Sequence, residues 1–107
     1  MSSNYINITV EQAKELIDTN PSLVVLDVRT EEEFLSEHIE GAKNIPVNDL
    51  VIRLTELNPN DEILVYCRKG NRSTQTAKIL VQNGFLDFYH MDGGLVAWKQ
   101  AGYPTIP

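Results

Sequence analysis

Short apolar runs alternate with stretches of helical spacing along most of the chain. The first run, Ile6-Asn7-Ile8, predicts a short strand. Thr9 then reads as a helix N-cap, and Gln12 stands where a capping box needs it. Val10, Ala13, Leu16 and Ile17 recur on one helical face until Asn20-Pro21 ends the pattern. From Leu23 to Val28 the chain is nearly continuous in β-branched residues and leucine, the mark of a central strand covered on both faces. Thr30 caps a short helix from Glu31 to about Ser36, whose three glutamates favour the positive end of the helix dipole. A loop with a short strand around Lys43-Asn44-Ile45 runs to Pro46. Asn48 is expected to cap another helix, with Leu50, Val51, Leu54 and Leu57 on one face. After a turn at Asn58-Pro59-Asn60-Asp61, Glu62 to Tyr66 predicts a second central strand that ends at Cys67. The loop from Cys67 to Asn71 opens a helix from about Arg72 to Asn83, with Ala77, Leu80 and Val81 toward the core and Gly84 as its stop. Phe88 to Met91 predicts a last strand, and Asp92-Gly93-Gly94 turns into a final helix from Leu95 to Ala101. Strands alternating with helices imply an α/β fold on a mostly parallel sheet.

The length of 107 residues suits one domain over residues 1–107. With 42% hydrophobic and 22% charged residues, the chain is neither disordered nor fibrous in type. Its net charge of −6 repels nucleic acid and anionic membranes, so neither is an expected partner. Against that acidic background, Arg68, Lys69 and Arg72 fall close together and suggest an anion site. The single cysteine allows no internal disulfide and no multi-cysteine metal site, and it suits a reducing compartment. The start, Met1 to Tyr5, has no basic region followed by an apolar run, so no signal peptide is expected. The apolar stretch Leu23 to Leu26 is far too short to span a membrane, which leaves the cytoplasm as the expected location. No nucleotide-binding glycine loop and no metal-ligand spacing is present, so no cofactor or metal is expected.

The candidate chemistry centres on Cys67, at the carboxyl end of the second central strand. In open α/β sheets, sites lie beyond the carboxyl ends of the strands. The loop Cys67-Arg68-Lys69-Gly70-Asn71-Arg72 leads into a helix, so its N–H groups are expected to form an anion nest at a positive helix end. Gly70 and Asn71 both tolerate the positive φ that such a turn uses. With the three bases added, the setting favours the thiolate, and Cys67 is expected to be ionised near neutral pH. Two readings of Ser73 stand side by side: a plain N-cap, or a hydroxyl given to the sulfur. His38 and His90 lie in other segments and read as packing or surface residues.

Four segments, in order and at fitting distances, resemble the single-domain rhodaneses, or thiosulfate sulfurtransferases. They are Leu26-Asp27-Val28-Arg29 with Glu33-Phe34, His38 to Pro46, Val65 to Ser73, and Asp92-Gly93-Gly94 with Trp98. One departure is Glu37, which stands before His38 where the family often has glycine. The resemblance implies a three-layer, rhodanese-like α/β domain with a five-stranded parallel sheet and helices on both faces. It also implies ping-pong sulfur transfer from thiosulfate through a Cys67 persulfide to cyanide, a thiol or a protein acceptor. Asp27 and Arg29 would then be structural supports near the pocket; read from spacing alone, Arg29 and Glu33 stand at helical spacing and suit a plain ion pair. Arg72 would brace the loop through a carboxylate such as Asp27. Trp98 reads as core, and Gly93-Gly94 as a requirement of backbone geometry.

Other functions are weighed against this one. A Cys-based phosphatase cradles a phosphate within a Cys-x5-Arg loop, whereas Cys67 to Arg72 is one residue shorter. A thiol–disulfide oxidoreductase lacks its resolving cysteine. Arsenate reduction would need an external thiol. A persulfide relay, loaded by another protein, remains the closest alternative to a thiosulfate enzyme.

Overall fold

The computed structural model describes residues 5–107. The reading of the first residues as lacking a leader concerns mainly Met1 to Asn4, which lie outside the described residues. In chain order the elements are β1 (Ile6–Ile8), α1 (Val10–Thr19), β2 (Val24–Asp27), α2 (Glu31–Ser36), β3 (Lys43–Asn44), β4 (Ile63–Tyr66), α3 (Asn71–Gln82), β5 (Tyr89–Met91) and α4 (Gly94–Gln100). The five strands form one sheet in the order β1-β5-β4-β2-β3, and every pairing is parallel.

The apolar runs become strands buried from two sides. Along β4, Ile63 and Val65 join Leu26, Ala77 and Leu80 in a core cluster beneath α3. Leu64 and Tyr66 point the other way and pack with Val10, Ala13, Leu95 and Trp98 beneath α1 and α4. Each valine, leucine or isoleucine among them contributes about 1.5–3 kcal/mol when taken fully from water. Trp98 is a core residue whose indole N–H donates to the Pro104 carbonyl at 2.9 Å.

Local signals set the helix starts. Thr9 and Gln12 complete a capping box on α1, and Thr30 and Glu33 complete one on α2. Each satisfies two N–H groups that the first helical turn leaves without partners. Glu37, at the end of α2, has φ −167°, an extended backbone that any residue adopts. The departure from glycine there is therefore without conformational cost.

The helix expected after Asn48 does not form. Two short 3-10 turns, Val47–Asp49 and Leu54–Glu56, occupy that segment. Pro46 rather than Asn48 precedes the first turn, and neither turn has a side-chain cap. The segment is tied to the sheet by the Val47 N–H, which donates to the Val28 carbonyl at 3.0 Å. Leu50 and Leu57 reach the core from separate turns, while Val51 and Ile52 are exposed.

Candidate active site

β4 delivers Cys67 to the carboxyl edge of the sheet, and the chain turns through Arg68, Lys69 and Gly70 before α3 begins. Gly70 carries the turn with φ +121°. A Cβ there would meet nothing within 4 Å, so backbone conformation rather than space calls for glycine. Asn71 does not share the positive φ and is the first residue of α3.

The turn folds back over the sulfur. The Gly70 N–H donates to Cys67 Sγ at 3.0 Å, and the Ser73 N–H donates at 3.3 Å. The thiol in turn donates to Ser73 Oγ at 3.3 Å. Two backbone donors, together with the N-terminus of the twelve-residue α3, place positive potential at the sulfur. Ser73 lies inside the first turn of the helix, so the cap reading fails: Gly70 holds the N-cap position.

Cys67 is only 1% exposed. A small cavity of about 130 Å³ reaches it, lined by Cys67, Arg68, Lys69, Asn71 and Arg72. Arg68 and Lys69 are solvent-exposed. Arg68 also lines a wider cleft of about 430 Å³ that includes Arg29, Glu37, Leu95 and Lys99. α4 grips the loop from behind, where the Leu95 N–H donates to the Cys67 carbonyl at 2.8 Å and the Val96 N–H donates to the Arg68 carbonyl at 3.0 Å. Gly94 permits this approach: a Cβ on it would lie 2.5 Å from both carbonyl oxygens.

The supporting charges pair differently from the sequence expectation. Arg29 does not pair with Glu33. It folds back on the fully buried Asp27, donating through Nη2 at 2.7 Å and through Nε at 3.1 Å. Its Nη2 also donates to the Glu37 carbonyl at 2.6 Å. Burial opposes the Arg29 charge, but the hydrogen bonds and charge of Asp27 more than offset this, and the guanidinium is held more firmly protonated than usual. Arg72 braces the loop through Glu33, not Asp27, with a two-pronged contact at 2.6 and 3.0 Å. That contact, reinforced by Thr30, holds the Glu33 carboxyl down at about 2. Arg29 sits ahead of the Thr30 cap and so is not on the helix that carries Glu33. This is why helical spacing misled.

His90 is buried, as a packing histidine is, yet its Nε2 lies 2.6 Å from Ser73 Oγ. Its Nδ1 lies 2.8 Å from Asn7 Oδ1. In the sequence, His90 has only a packing or surface reading and Asn7 has no role at the site. The available signal was strand alternation, which puts His90 on the same face as Phe88 and hence on the α3 side. Among the described residues, no group of three or more His, Cys, Asp or Glu side chains is arranged to hold a metal ion.

Residues 9–101 match the model of the rhodanese-like domain family. A protein named sulfurtransferase from Allochromatium vinosum is 33% identical over 88% of this chain and 87% of its own length. Thiosulfate sulfurtransferase GlpE of Pseudomonas paraeruginosa is 31% identical over 98% of this chain and 93% of its own. The putative sulfur carrier protein YrkF of Bacillus subtilis is 36% identical over 91% of this chain, which spans only 52% of that protein. Among solved structures, a rhodanese-related protein from Thermoplasma volcanium superposes with a TM-score of 0.85 at 31% identity, over 95% of this chain and 98% of that one. The chain belongs to the rhodanese-like family.

Proposed function

We propose that the chain, acting as one domain, is a sulfurtransferase that carries sulfane sulfur as a persulfide on Cys67. The observation that carries this reading is the convergence of the Gly70 and Ser73 amides on Cys67 Sγ. A thiolate there attacks the outer sulfur of thiosulfate. A new S–S bond forms, the old one breaks, and the electron pair leaves with sulfite. The charge that remains sits on the outer sulfur, one bond beyond the Sγ that the two amides meet, where the positive field of the loop amides and the helix end still favours it. Cyanide or a thiol then attacks the outer sulfur and restores the thiolate. Arg68 and Lys69, at the mouth of the small cavity, draw in the dianionic donor. The wider cleft that shares Arg68 gives the acceptor its approach.

Phosphatase chemistry finds less support. Arg72, which would have to face a phosphate, has both terminal nitrogens engaged by Glu33. A relay role differs only in the donor, and the carrier name of the Bacillus relative favours testing a persulfide donor beside thiosulfate. A reactive free thiol suits the cytoplasm, where we place the protein. Among the described residues no helix is long and apolar enough to cross a membrane.

Initial rates with thiosulfate and cyanide varied together test the proposal. Parallel double-reciprocal lines, with sulfite and thiocyanate formed in equal amounts, are expected. Intersecting lines, or no thiocyanate from either donor, would overturn it.

A further inference from the structure

Among the buried titratable groups of the described residues, His90 has no part in the sulfur transfer through Cys67. Asn7, His90 and Val65 lie abreast on β1, β5 and β4. Cys67 follows Val65 by two residues, and Ser73 of α3 closes over it. A continuous chain results: Sγ to Ser73 Oγ at 3.3 Å, Oγ to His90 Nε2 at 2.6 Å, and Nδ1 to Asn7 Oδ1 at 2.8 Å.

The proton count along this chain is restrictive. With Asn7 Oδ1 accepting, Nδ1 carries the ring proton, and Nε2 of a neutral ring can only accept. The Ser73 hydroxyl has one proton and three candidate acceptors: Nε2 at 2.6 Å, the Gly70 carbonyl at 3.1 Å and the sulfur at 3.3 Å. While the ring is neutral, the short contact to Nε2 takes that proton, and the sulfur keeps only its two backbone donors. Once Nε2 is protonated it donates to Ser73 Oγ, and the hydroxyl proton turns to the sulfur as a third donor.

We propose that His90 is a positioning residue for Cys67 that acts through Ser73: protonation of the ring turns the Ser73 hydroxyl onto the sulfur, so thiol and imidazole titrate as a coupled pair. The proposal rests on Cys67 being the reacting sulfur. The step balances. The Cys67 proton passes to Ser73 Oγ as the hydroxyl's own proton passes to Nε2, leaving thiolate and imidazolium with no change in net charge. Several groups face the ring. Asp92 Oδ1 is 3.7 Å from Nδ1, the Tyr5 ring lies edge-on with centroids 6.3 Å apart, and β4 presents the apolar Val65 alongside. Burial pushes the His90 ring toward its neutral form, and the charge of Asp92 opposes this.

The test is the pH profile of Cys67 alkylation by iodoacetamide on the full chain. It needs no sulfur donor, so it reads out even if sulfur transfer fails. Position 7 is exposed, and Asn7→Asp adds a negative charge beside Nδ1 that holds the ring protonated to higher pH. The alkylation midpoint should move to lower pH, with about threefold faster reaction below the midpoint, the scale of one partly exposed charge pair. The same substitution in a Ser73→Ala background should shift nothing. Superimposed profiles for wild type and Asn7→Asp would overturn the proposal, as would an equal shift without Ser73. Independently of any variant, NMR titration of His90 should shift its midpoint when Cys67 is alkylated, and an unmoved midpoint would also overturn it.

Discussion

Replacing Gly94 with alanine puts two costs on the turn that holds the active loop. The first is conformational. Gly94 has φ +60°, and an L-residue in left-handed backbone costs about 1–2 kcal/mol. The second is steric, since the new Cβ would sit 2.5 Å from the carbonyl oxygens of Cys67 and Arg68. Both are backbone atoms, so no side chain can swing away to relieve the contact. α4 must retreat, and its bonds from the Leu95 and Val96 N–H groups to those carbonyls stretch. Losing both costs a further ~1–3 kcal/mol at about 0.5–1.5 each. The expected total is about 2–5 kcal/mol, a large part of the stability of a small domain. Urea unfolding should show this as a lower midpoint at unchanged slope. Sulfur loading of the folded protein should fall too, because the loop amides are displaced. Gly102→Ala is the control: φ is +85°, but nothing lies within 4 Å of its Cβ. It should cost about 1–2 kcal/mol and leave loading intact. Equal losses for the two variants, or full loading in Gly94→Ala, would refute the claim that α4 sets the loop.

Three further outcomes are expected. The Glu33 carboxyl is depressed to about 2 from an ordinary 4.5, so its pair with Arg72 contributes stability above pH 4.5 that is lost as pH falls toward 2. Glu33→Gln should flatten that acid limb of the stability curve and cost about 1 kcal/mol at neutral pH, as suits a partly exposed pair; an unchanged acid limb would mean the pair contributes nothing. Tyr66→Phe removes the acceptor of the buried Ile39 N–H, now at 3.1 Å, and should cost about 1–3 kcal/mol in urea unfolding without altering the turn at Cys67. Arg68→Ala with Lys69→Ala should raise KM for thiosulfate severalfold while kcat holds, and the effect should shrink as salt is added; a KM insensitive to either change would show that these bases do not steer the donor.

Much of this arrangement was legible from local chemistry. The capping box at Thr9, the cap at Thr30, the β-branched run before Asp27 and the turn at Gly70 each depend on residues a few positions apart, which a sequence displays directly. Errors arose where geometry was nonlocal. Leu50, Leu54 and Leu57 mimic helical spacing, but tethering to the sheet and two separate turns produce it. Arg29 and Glu33 stand four apart, yet Arg29 precedes the cap and turns to Asp27, while Glu33 crosses 39 positions to Arg72. His90 was the hardest to see. It meets Ser73 across 17 positions and Asn7 across 83, and only parallel pairing of β1 with β5 brings them into line. Periodicity assigns a residue to a face, but not its partner on that face.

The central claim is that Cys67 holds sulfur, and intact mass spectrometry after incubation with thiosulfate tests it most directly. Wild type should gain the mass of one sulfur atom, cyanide should remove it, and Cys67→Ser should gain nothing. No adduct on the wild-type protein from thiosulfate or from a persulfide donor, together with hydrolysis of an aryl phosphate, would contradict the account.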